Sequence, residues 1–338
     1  MCGIIGYSGP KEPLPILIGG LSRLEYRGYD SAGVAILDGE KLTIEKKEGK
    51  LQVLKDHLTN SKINGNIGIG HTRWATHGVP NDVNAHPHSD NQNEFAIIHN
   101  GIIENYAEMK DDLLKEGFVF ESDTDTEVVA VELGNQWTGR LLETVTNVAK
   151  KLDGTYALVV TSTKEPGTIV AGRMMSPLVL GVGEGETFLA SDSAAILEHT
   201  NKMIFLENGD FVEITNGKFK LFDENMNEIS REIQEIDWKV SEAEKSGYDH
   251  FMYKEILEQA EVIERTISGR LEIGSEEIPI DLNKAKGFEK IWIVACGTAY
   301  HAGLFGKDLF EKVLGVPVSV ELASEFRYRE PIVGKNDL

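Results

Sequence analysis

The second residue of the chain is a cysteine, Cys2, and its position suggests a nucleophile that carries its own base. Removal of Met1 would leave the α-amine of Cys2 a few atoms from its own thiol. In model peptides that amine titrates at about 7.7–8.0 and a thiol at about 8.5, so near neutral pH the amine can accept the thiol proton. The apolar pair Ile4-Ile5 predicts a buried strand that begins at the reactive residue. The alternative is a buried, unreactive cysteine, which is common in proteins.

A second group of reactive side chains lies in the segment 71–78, directly after a predicted strand. Arg73 can bind a carboxylate through two parallel hydrogen bonds. Thr76 and His77 offer shorter donors, and Trp74 can cover a pocket. The segment would suit a carboxylate-binding loop, but a surface ion pair for Arg73 and a core position for Trp74 explain these residues equally well.

The segment 122–127, Ser-Asp-Thr-Asp-Thr-Glu, precedes an apolar helical pattern. Thr124 and Glu127 have the spacing of a capping box, in which two side chains satisfy free N–H groups at a helix start. Asp125 would then lie in the first helical turn, where it could also accept a substrate ammonium group. The two roles are compatible, because helix caps lie at the rims of clefts.

Asn100 and Gly101 end a predicted strand at residues 95–99. An amide side chain and an exposed glycine N–H are donors suited to an oxyanion hole. The alternative is an Asn-Gly turn, which needs no function. Residue type and spacing define no role for Arg27, although a cation near Cys2 would favour its thiolate.

Five of the nine histidines fall within residues 71–99, which raises the alternative of a metal site. His71, His77 and the pair His86-Pro87-His88 could supply ligands. No cysteine or carboxylate joins them at a recognised motif spacing, and the proline stiffens the pair. Metal binding is therefore the weaker alternative, and we expect no metal site.

The elements that must position these residues are hairpins and helices rather than regular βαβ units. Predicted strands include residues 34–37, 42–44, 67–71 and 95–99, and β-branched runs recur at 155–182 and 211–222. Predicted helices cover residues 13–26, 51–58, 105–115, 125–137 and 141–152. This order favours an antiparallel α+β layer structure over a doubly wound sheet.

A polar segment, residues 237–250, is predicted to link this first domain, residues 1–236, to a second one. Beyond it, residues 251–267 have a helical pattern, and a continuous apolar run at 291–295 precedes a glycine-containing turn and another helix. Strand, turn and helix in that order are typical of the start of a parallel α/β domain. Residues 251–338 are short for a complete domain of this type, so we expect a fragment of a longer protein.

Composition narrows the classes of partner. The formal net charge of −21 argues against nucleic acid, whose phosphates need a basic face, and against an anionic membrane surface. No apolar run approaches the roughly 20 residues that span a bilayer. The two cysteines, Cys2 and Cys296, do not suggest a disulfide framework, so we expect a reducing cytoplasmic location.

Several segments, taken together and in order, resemble the glutamine–fructose-6-phosphate aminotransferase family, whose glutaminase half belongs to the N-terminal-nucleophile amidotransferases. The first half of the resemblance rests on Met1-Cys2-Gly3-Ile4, residues 24–33 (LEYRGYDSAG), 71–78 (HTRWATHG), His86-Pro87-His88, residues 99–105 (HNGIIEN) and 124–127 (TDTE). Residues 296–303 (CGTAYHAG) and 321–329 (ELASEFRYR) resemble the opening of that family's sugar-phosphate isomerase domain. The second match distinguishes this family from relatives that share only the first half.

The resemblance implies a four-layer αββα N-terminal-nucleophile hydrolase sandwich followed by an incomplete α/β sugar-isomerase domain. It implies that Cys2 attacks the amide of glutamine and that Asn100 and Gly101 stabilise the tetrahedral oxyanion. Arg27, within a matching segment, would support the nucleophile.

For the substrate, the resemblance implies that Arg73, Thr76 and His77 hold the α-carboxylate of glutamine and that Asp125 holds its α-ammonium. Trp74 would help to close the pocket and gate ammonia passage. Thr298 would be a remnant of the sugar-phosphate site, although Ala299 beside it replaces a serine found in many relatives.

The parent protein is therefore expected to form glucosamine 6-phosphate and glutamate from glutamine and fructose 6-phosphate. It would do so without a cofactor and as a homodimer, while this chain supplies the glutaminase half-reaction. A non-catalytic module that senses sugar phosphate through residues 296–303 remains an alternative from another class.

Overall fold

The computed structural model describes residues 2–59, 61, 63–236, 248, 250–267 and 287–338. The chain divides into two compact units, Met1–Lys254 and Glu255–Leu338. The linker predicted at residues 237–250 lies almost entirely outside the described residues.

The first unit contains fifteen strands among the residues described. They are β1 (Gly3–Ser8), β2 (Ser31–Asp38), β3 (Lys41–Glu48), β4 (Ile67–Arg73), β5 (His88–Ser89), β6 (Phe95–Ile103), β7 (Gly154–Ser162), β8 (Thr168–Met174), β9 (Val179–Val182), β10 (Thr187–Ala190), β11 (Lys202–Phe205), β12 (Phe211–Thr215), β13 (Lys218–Phe222), β14 (Glu228–Ile229) and β15 (Gln234–Glu235). The helices that pack on them are α1 (Pro13–Leu24), α2 (Leu51–Leu58), α3 (Tyr106–Lys115), α4 (Asp125–Asn135) and α5 (Leu141–Ala149).

The strands form two antiparallel sheets. One sheet has eight strands in the order β15-β11-β9-β10-β1-β4-β2-β3, and the other has seven in the order β14-β13-β12-β8-β7-β6-β5. Strand β1 is central in the first sheet, where it pairs with β10 on one side and β4 on the other. Because β1 and β4 are antiparallel, the start of β1 lies beside the end of β4, with Gly3 opposite Thr72.

Three apolar clusters separate four layers. Alternate residues of β1 point to opposite faces: Ile4 lies in a cluster shared by the two sheets, whereas Ile5 and Tyr7 pack in a cluster with α1 and α2. A third cluster joins the outer face of the second sheet to α4 and α5. The layer order is therefore helix, sheet, sheet, helix, which confirms the αββα sandwich expected from the resemblance.

The second unit begins within α6 (Phe251–Ile267), a helix whose bounds match the sequence pattern. It continues with β16 (Ile291–Ala295), α7 (Gly297–Leu314), β17 (Val318–Leu322) and α8 (Ala323–Tyr328). The strands β16 and β17 pair in parallel across the α7 connection, as the strand-turn-helix pattern predicts. Within the described residues, no helix is both long enough and apolar enough to cross a membrane.

Two strand predictions need correction, and both concern the site. The strand predicted at 67–71 extends to Arg73, and the strand predicted at 95–99 extends to Ile103. Asn100 and Gly101 are therefore not a turn, because they pair with Ala157 and Tyr156 of β7. Pairing with a long neighbouring strand outweighs the local turn preference of the Asn-Gly dipeptide.

Candidate active site

Cys2 lies directly before β1, beside the end of β4. Its Sγ accepts a hydrogen bond from the backbone N–H of Trp74 at 3.1 Å and lies 3.6 Å from the Trp74 carbonyl oxygen. Burial raises the pKa of the Cys2 thiol, and the Trp74 N–H opposes that rise. Among the described residues, no carboxylate or imidazole lies within hydrogen-bonding distance of Sγ. A protonated thiol in this place needs a base that no described side chain supplies.

Arg73 is the last residue of β4, and its guanidinium is buried. Its Nη2 donates to the backbone carbonyl of His77. Its Nη1 is buried without a hydrogen-bond partner among the described residues, and it lies 4.0 Å from Oδ1 of Asp30. A buried cationic donor without a partner is costly, so this nitrogen is suited to receive an anionic group from a ligand.

Asp125 is the first residue of α4 and is only 4% exposed. Its Oδ2 accepts from the backbone N–H of Ile103 at 2.9 Å, whereas Oδ1 has, among the described residues, only the Thr126 hydroxyl at 3.3 Å. The helix N-terminus favours the negative charge, and the weakly bonded Oδ1 can accept a further donor. A buried carboxylate of this kind suits a substrate ammonium.

The helix start is capped in a different way from the predicted capping box. Thr124 Oγ1 accepts from the backbone N–H of Glu127 at 3.2 Å, which is the expected first half. The Glu127 carboxylate does not return to Thr124. Its two oxygens accept from the backbone N–H groups of Glu121 and Ser122, at 2.8 and 2.7 Å. Glu127 therefore holds residues 121 and 122, which precede the helix, and not the cap residue Thr124.

Asn100 belongs to β6 in the facing sheet, and its side chain reaches Cys2. The Asn100 Nδ2 donates to the backbone carbonyl of Cys2 at 3.2 Å. Gly101 has φ +136°, and a Cβ built there would lie 1.9 Å from the Thr155 carbonyl oxygen. Only glycine fits this position.

Two cavities meet at Cys2. A small cavity of about 20 Å³ is lined by Arg73 and Asp125. Its other lining residues are Trp74, Thr76, His77, His86, His99, Gly101, Thr124 and Thr126. A wider groove of about 430 Å³ is lined by Asn100, Ile102, Thr155, Ser176 and Pro177. Both cavities include Cys2, Trp74, Thr76 and Gly101 in their walls. The thiol therefore lies where a small polar pocket opens into a larger groove.

The remaining predicted pocket residues differ in how they contribute. Trp74 is 55% exposed, and its ring lies against Gly28, where a Cβ would come within 2.3 Å of the ring. The Thr76 hydroxyl lies 3.2 Å from Nδ1 of His77, whose ring also contacts Tyr106 edge-on. His77 thus holds Arg73 through its backbone carbonyl, a contact that residue type could not predict.

The predicted roles of Arg27 and Thr298 are not tested by the structure. The side chain of Arg27 lies outside what the structure describes, so its support of the nucleophile stays a prediction. Thr298 belongs to the second unit, where it is exposed in the first turn of α7. Its part in a sugar-phosphate site also stays a prediction.

The histidines considered as metal ligands are engaged in hydrogen bonds. Among the described residues, no group of three or more His, Cys, Asp or Glu is placed to hold a metal ion. His71 Nε2 lies 2.9 Å from Asn100 Oδ1, and His88 Nε2 lies 3.0 Å from Thr124 Oγ1. Burial lowers the pKa of each of these two imidazoles, and that of His71 falls to about 3.

The contact between His71 and Asn100 was missed in the sequence, although a signal for it exists. His71 follows Ile69 by two residues in β4, and Asn100 follows Ile98 by two in β6. Both isoleucines lie in the cluster between the sheets. Strand alternation therefore places His71 and Asn100 on the two faces that meet.

The fold and the site define the class. Two antiparallel sheets pack face to face between helices, and a cysteine precedes a central strand. This is the architecture of an N-terminal-nucleophile, class II glutamine amidotransferase. A family model described as a glutamine amidotransferase domain matches residues 56–251, and a SIS domain model matches residues 282–338. The first match covers more than half of the chain. The chain belongs to the glutamine amidotransferase domain family.

Relatives with curated names extend over the whole chain. The glutamine–fructose-6-phosphate aminotransferase [isomerizing] of Clostridium tetani is 49% identical over 342 residues, which are 100% of this chain and 56% of that protein. The protein of the same name from Aquifex aeolicus is 48% identical, with the same two shares. These identities confirm the resemblance seen in the sequence. The chain spans about half the length of the curated relatives it matches.

Solved structures agree on the fold. The allosteric regulatory enzyme of purine biosynthesis has a TM-score of 0.59 at 29% identity, covering 67% of this chain and 50% of its own. The glutamine phosphoribosylpyrophosphate amidotransferase of B. subtilis has a TM-score of 0.60 at 23% identity. The match covers 94% of this chain and 65% of the B. subtilis chain. At that identity the second likeness concerns the fold alone.

Proposed function

We propose that this chain hydrolyses the side-chain amide of L-glutamine to glutamate and ammonia through a γ-glutamyl thioester on Cys2. One observation carries the proposal. The Cys2 thiol lies at the mouth of a pocket whose walls hold a buried cation with a free Nη1, Arg73, and a buried carboxylate, Asp125. Opposite charges in one pocket beside a thiol suit an α-amino acid whose side chain reaches the sulfur.

In the proposed complex, Arg73 binds the α-carboxylate through its free Nη1, and Asp125 accepts from the α-ammonium through Oδ1. The Thr76 hydroxyl adds a donor to the carboxylate, while His77 holds the guanidinium through its carbonyl. Trp74 forms the exposed cover at the junction of the two cavities. The substrate amide is then directed towards Cys2.

The proposed reaction has two steps. After removal of Met1, the free α-amine of Cys2 takes the thiol proton, and Sγ attacks the amide carbon of glutamine. The oxyanion of the tetrahedral intermediate is stabilised by Asn100 Nδ2 and the Gly101 N–H. The amine returns its proton to the leaving nitrogen, which departs as ammonia. Water then cleaves the thioester to give glutamate and the free thiol.

For the whole protein, we propose the activity that the relatives' name describes. Ammonia from the first unit would aminate fructose 6-phosphate to give glucosamine 6-phosphate, at a sugar site to which Thr298 contributes. The domain bounds 1–236, 237–250 and 251–338, a cytoplasmic location, a homodimer and the absence of a nucleic-acid partner all belong to this proposal. The match of residues 282–338 to a SIS domain and the net charge of −21 support it.

Ammonia release from glutamine tests the proposal, with fructose 6-phosphate present or absent. We expect Cys2→Ala to abolish release of both ammonia and glutamate. The matched control is Cys296→Ala, which removes the other cysteine and should leave the rate unchanged. Wild-type release by the Cys2→Ala variant would contradict the proposal. Binding of sugar phosphate without any glutamine turnover would favour the non-catalytic module instead.

A further inference from the structure

Three buried side chains form a chain of hydrogen bonds that ends at Cys2. His86 Nδ1 lies 3.0 Å from His71 Nδ1, and His71 Nε2 lies 2.9 Å from Asn100 Oδ1. Asn100 Nδ2 lies 3.2 Å from the Cys2 carbonyl oxygen. His71 is fully buried, His86 is 6% exposed and Asn100 is 8% exposed. The contacts therefore form in a nearly dry interior, where each group depends on its neighbour.

In each of these hydrogen bonds, the chemistry of the two groups decides which one donates and which one accepts. The Cys2 carbonyl accepts but cannot donate, so Asn100 must turn its Nδ2 towards Cys2. Asn100 Oδ1 then faces His71 and can only accept, so His71 Nε2 carries a hydrogen. Burial lowers the pKa of His71 to about 3, so the ring is neutral at physiological pH and its Nδ1 is an acceptor. His86 Nδ1 must therefore be the donor to His71.

This direction leaves the other nitrogen of His86 without a hydrogen. His86 Nε2 is buried and has no hydrogen-bond partner among the described residues. Burial also lowers the pKa of His86 well below its ordinary value, with His71 and His88 as further causes. A neutral His86 protonated on Nδ1 is the state that donates to His71 Nδ1.

We propose that His71 is a positioning residue for the amide chemistry at Cys2, holding the Asn100 side chain with its N–H₂ group towards the developing oxyanion. His86 selects the tautomer of His71 that can do this. The physical reason is that the terminal torsion of an asparagine has two near-equivalent states. The Cys2 carbonyl holds Nδ2 by one hydrogen bond and His71 holds Oδ1 by a second. Without the His71 donor the amide is held only at Nδ2, so it turns over more readily and presents to the oxyanion an oxygen that would repel it. The inference rests on the proposed glutaminase function.

Two polar substitutions of His71 separate this role from simple packing. In His71→Gln the amide nitrogen reaches the place of the imidazole Nε2, so a donor to Asn100 Oδ1 remains. In His71→Asn the amide reaches only the place of Nδ1, so the donor is lost. Losing a whole oxyanion-hole donor costs roughly 10²–10³ in kcat, and losing its orientation should cost roughly 10–10². We expect that loss in kcat for His71→Asn, a KM for glutamine within about threefold, and most of the activity retained in His71→Gln.

A double-mutant cycle shows whether His71 acts through Asn100. In an Asn100→Ala background, His71→Asn should cause no further loss of kcat, because the oriented group is already absent. A glutamine analogue with an aldehyde in place of the amide gives a second readout, since it forms a tetrahedral adduct with the thiol. Its affinity should fall in parallel with kcat in His71→Asn, while the affinity for L-glutamate stays the same.

Variants of His86 give the same test without changing His71. His86→Asn keeps a donor at the place of Nδ1, and His86→Leu removes it, so only the leucine variant should lose kcat. Thermal melting identifies variants that fail to fold, and His57→Asn is the control for a surface histidine. Equal activity of His71→Asn and His71→Gln, additive losses in the cycle, or equal activity of the two His86 variants would overturn the inference. A wild-type chain without ammonia release would instead refute the proposed function itself.

Discussion

Two oppositely charged side chains define what the pocket can bind. Arg73 is held by the His77 carbonyl and lies near Asp30, and Asp125 is held by the Ile103 N–H. These contacts fix each group and leave one atom of each, Nη1 and Oδ1, for a ligand. The cavity between them is only about 20 Å³, room for about one water molecule, so an amino acid can bind to both charges only if the pocket opens.

Substituting either charge should weaken glutamine binding. Arg73→Lys loses the planar fork, and Asp125→Asn loses the charge that pairs with the ammonium. A hydrogen bond to a charged group is worth about 1.5–3 kcal/mol, so we expect KM for glutamine to rise about 10- to 100-fold in either variant. Steady-state ammonia release measures this change.

Asp123→Asn is the matched control, because Asp123 is exposed, does not line the pocket and has a 3.4 Å contact with Asn84. Its KM should stay near the wild-type value. An unchanged KM in both Arg73→Lys and Asp125→Asn would show that glutamine does not bind between them.

At the scale of elements, the site depends on where strands begin and end. The antiparallel pairing of β1 with β4 brings Cys2 to the segment that follows Arg73, and β6 in the facing sheet delivers Asn100. The loop after β4 is held against a second loop, because the Trp74 ring lies on Gly28. Gly28 has φ +74°, and its missing side chain makes room for the ring.

Gly28→Ala should therefore disturb the site, whereas a similar change elsewhere should not. The new Cβ would lie 2.3 Å from the Trp74 ring and push aside the residue whose N–H bonds Cys2 Sγ. Since a displacement of about 1 Å can cost 10²-fold, we expect kcat/KM for glutamine to fall by about 10- to 100-fold.

Gly39→Ala isolates the cause, because Gly39 also has a positive φ, +57°, but has open space around it. Gly39→Ala should lose about 1–2 kcal/mol of stability from its positive φ. Gly28→Ala should lose more, because its ψ of 143° together with a positive φ is rarely open to other residues. Only Gly28→Ala should lose activity. Equal kinetics for the two alanine variants would show that the Trp74–Gly28 contact does not position the nucleophile loop.

Sequence patterns predicted the elements well where local periodicity and packing agree. Helices α2 and α6 have the predicted bounds, and the αββα order agrees with the resemblance. The β6 extension was missed because Asn100-Gly101 is a typical turn dipeptide, and only pairing with β7 shows that the strand continues. The return contacts of Glu127 were missed for a similar reason, since they depend on how the preceding loop folds back.

Candidate site residues could be proposed from residue type and resemblance, but their geometry could not. That Arg73 keeps a free Nη1, or that His77 acts through its carbonyl, depends on three-dimensional contacts. His71 and His86 were considered as metal ligands because a cluster of histidines along the chain does not reveal which rings meet. Only the alternation of β4 and β6 pointed to the interior for His71.

For the molecule as a whole, burying four histidines has a cost that depends on pH. Burial lowers the pKa of His71, His86, His88 and His99, that of His71 to about 3. In the unfolded chain these rings titrate near 6.5. Between pH 6.5 and the lowered values, the unfolded chain binds more protons than the folded one, so the free energy of unfolding falls as pH falls.

Urea unfolding at several pH values from 7.5 to 5 measures the slope of the free energy of unfolding against pH. Each histidine that is neutral when folded and protonated when unfolded contributes about 1.4 kcal/mol per pH unit. His88→Gln removes one such group and should reduce the slope by about that amount, whatever it does to stability at pH 7.5. An identical slope in wild type and His88→Gln would contradict the neutral, buried state of His88.

Mass spectrometry of the chain quenched in acid during glutamine turnover tests the role of Cys2 most directly. The proposed mechanism predicts a γ-glutamyl adduct on the N-terminal peptide, with the sulfur of Cys2 acylated and Met1 absent. Arg73→Lys should form less of this adduct at low glutamine concentration. Ammonia release without any acylated Cys2, or an adduct on Cys296 in its place, would contradict the mechanism.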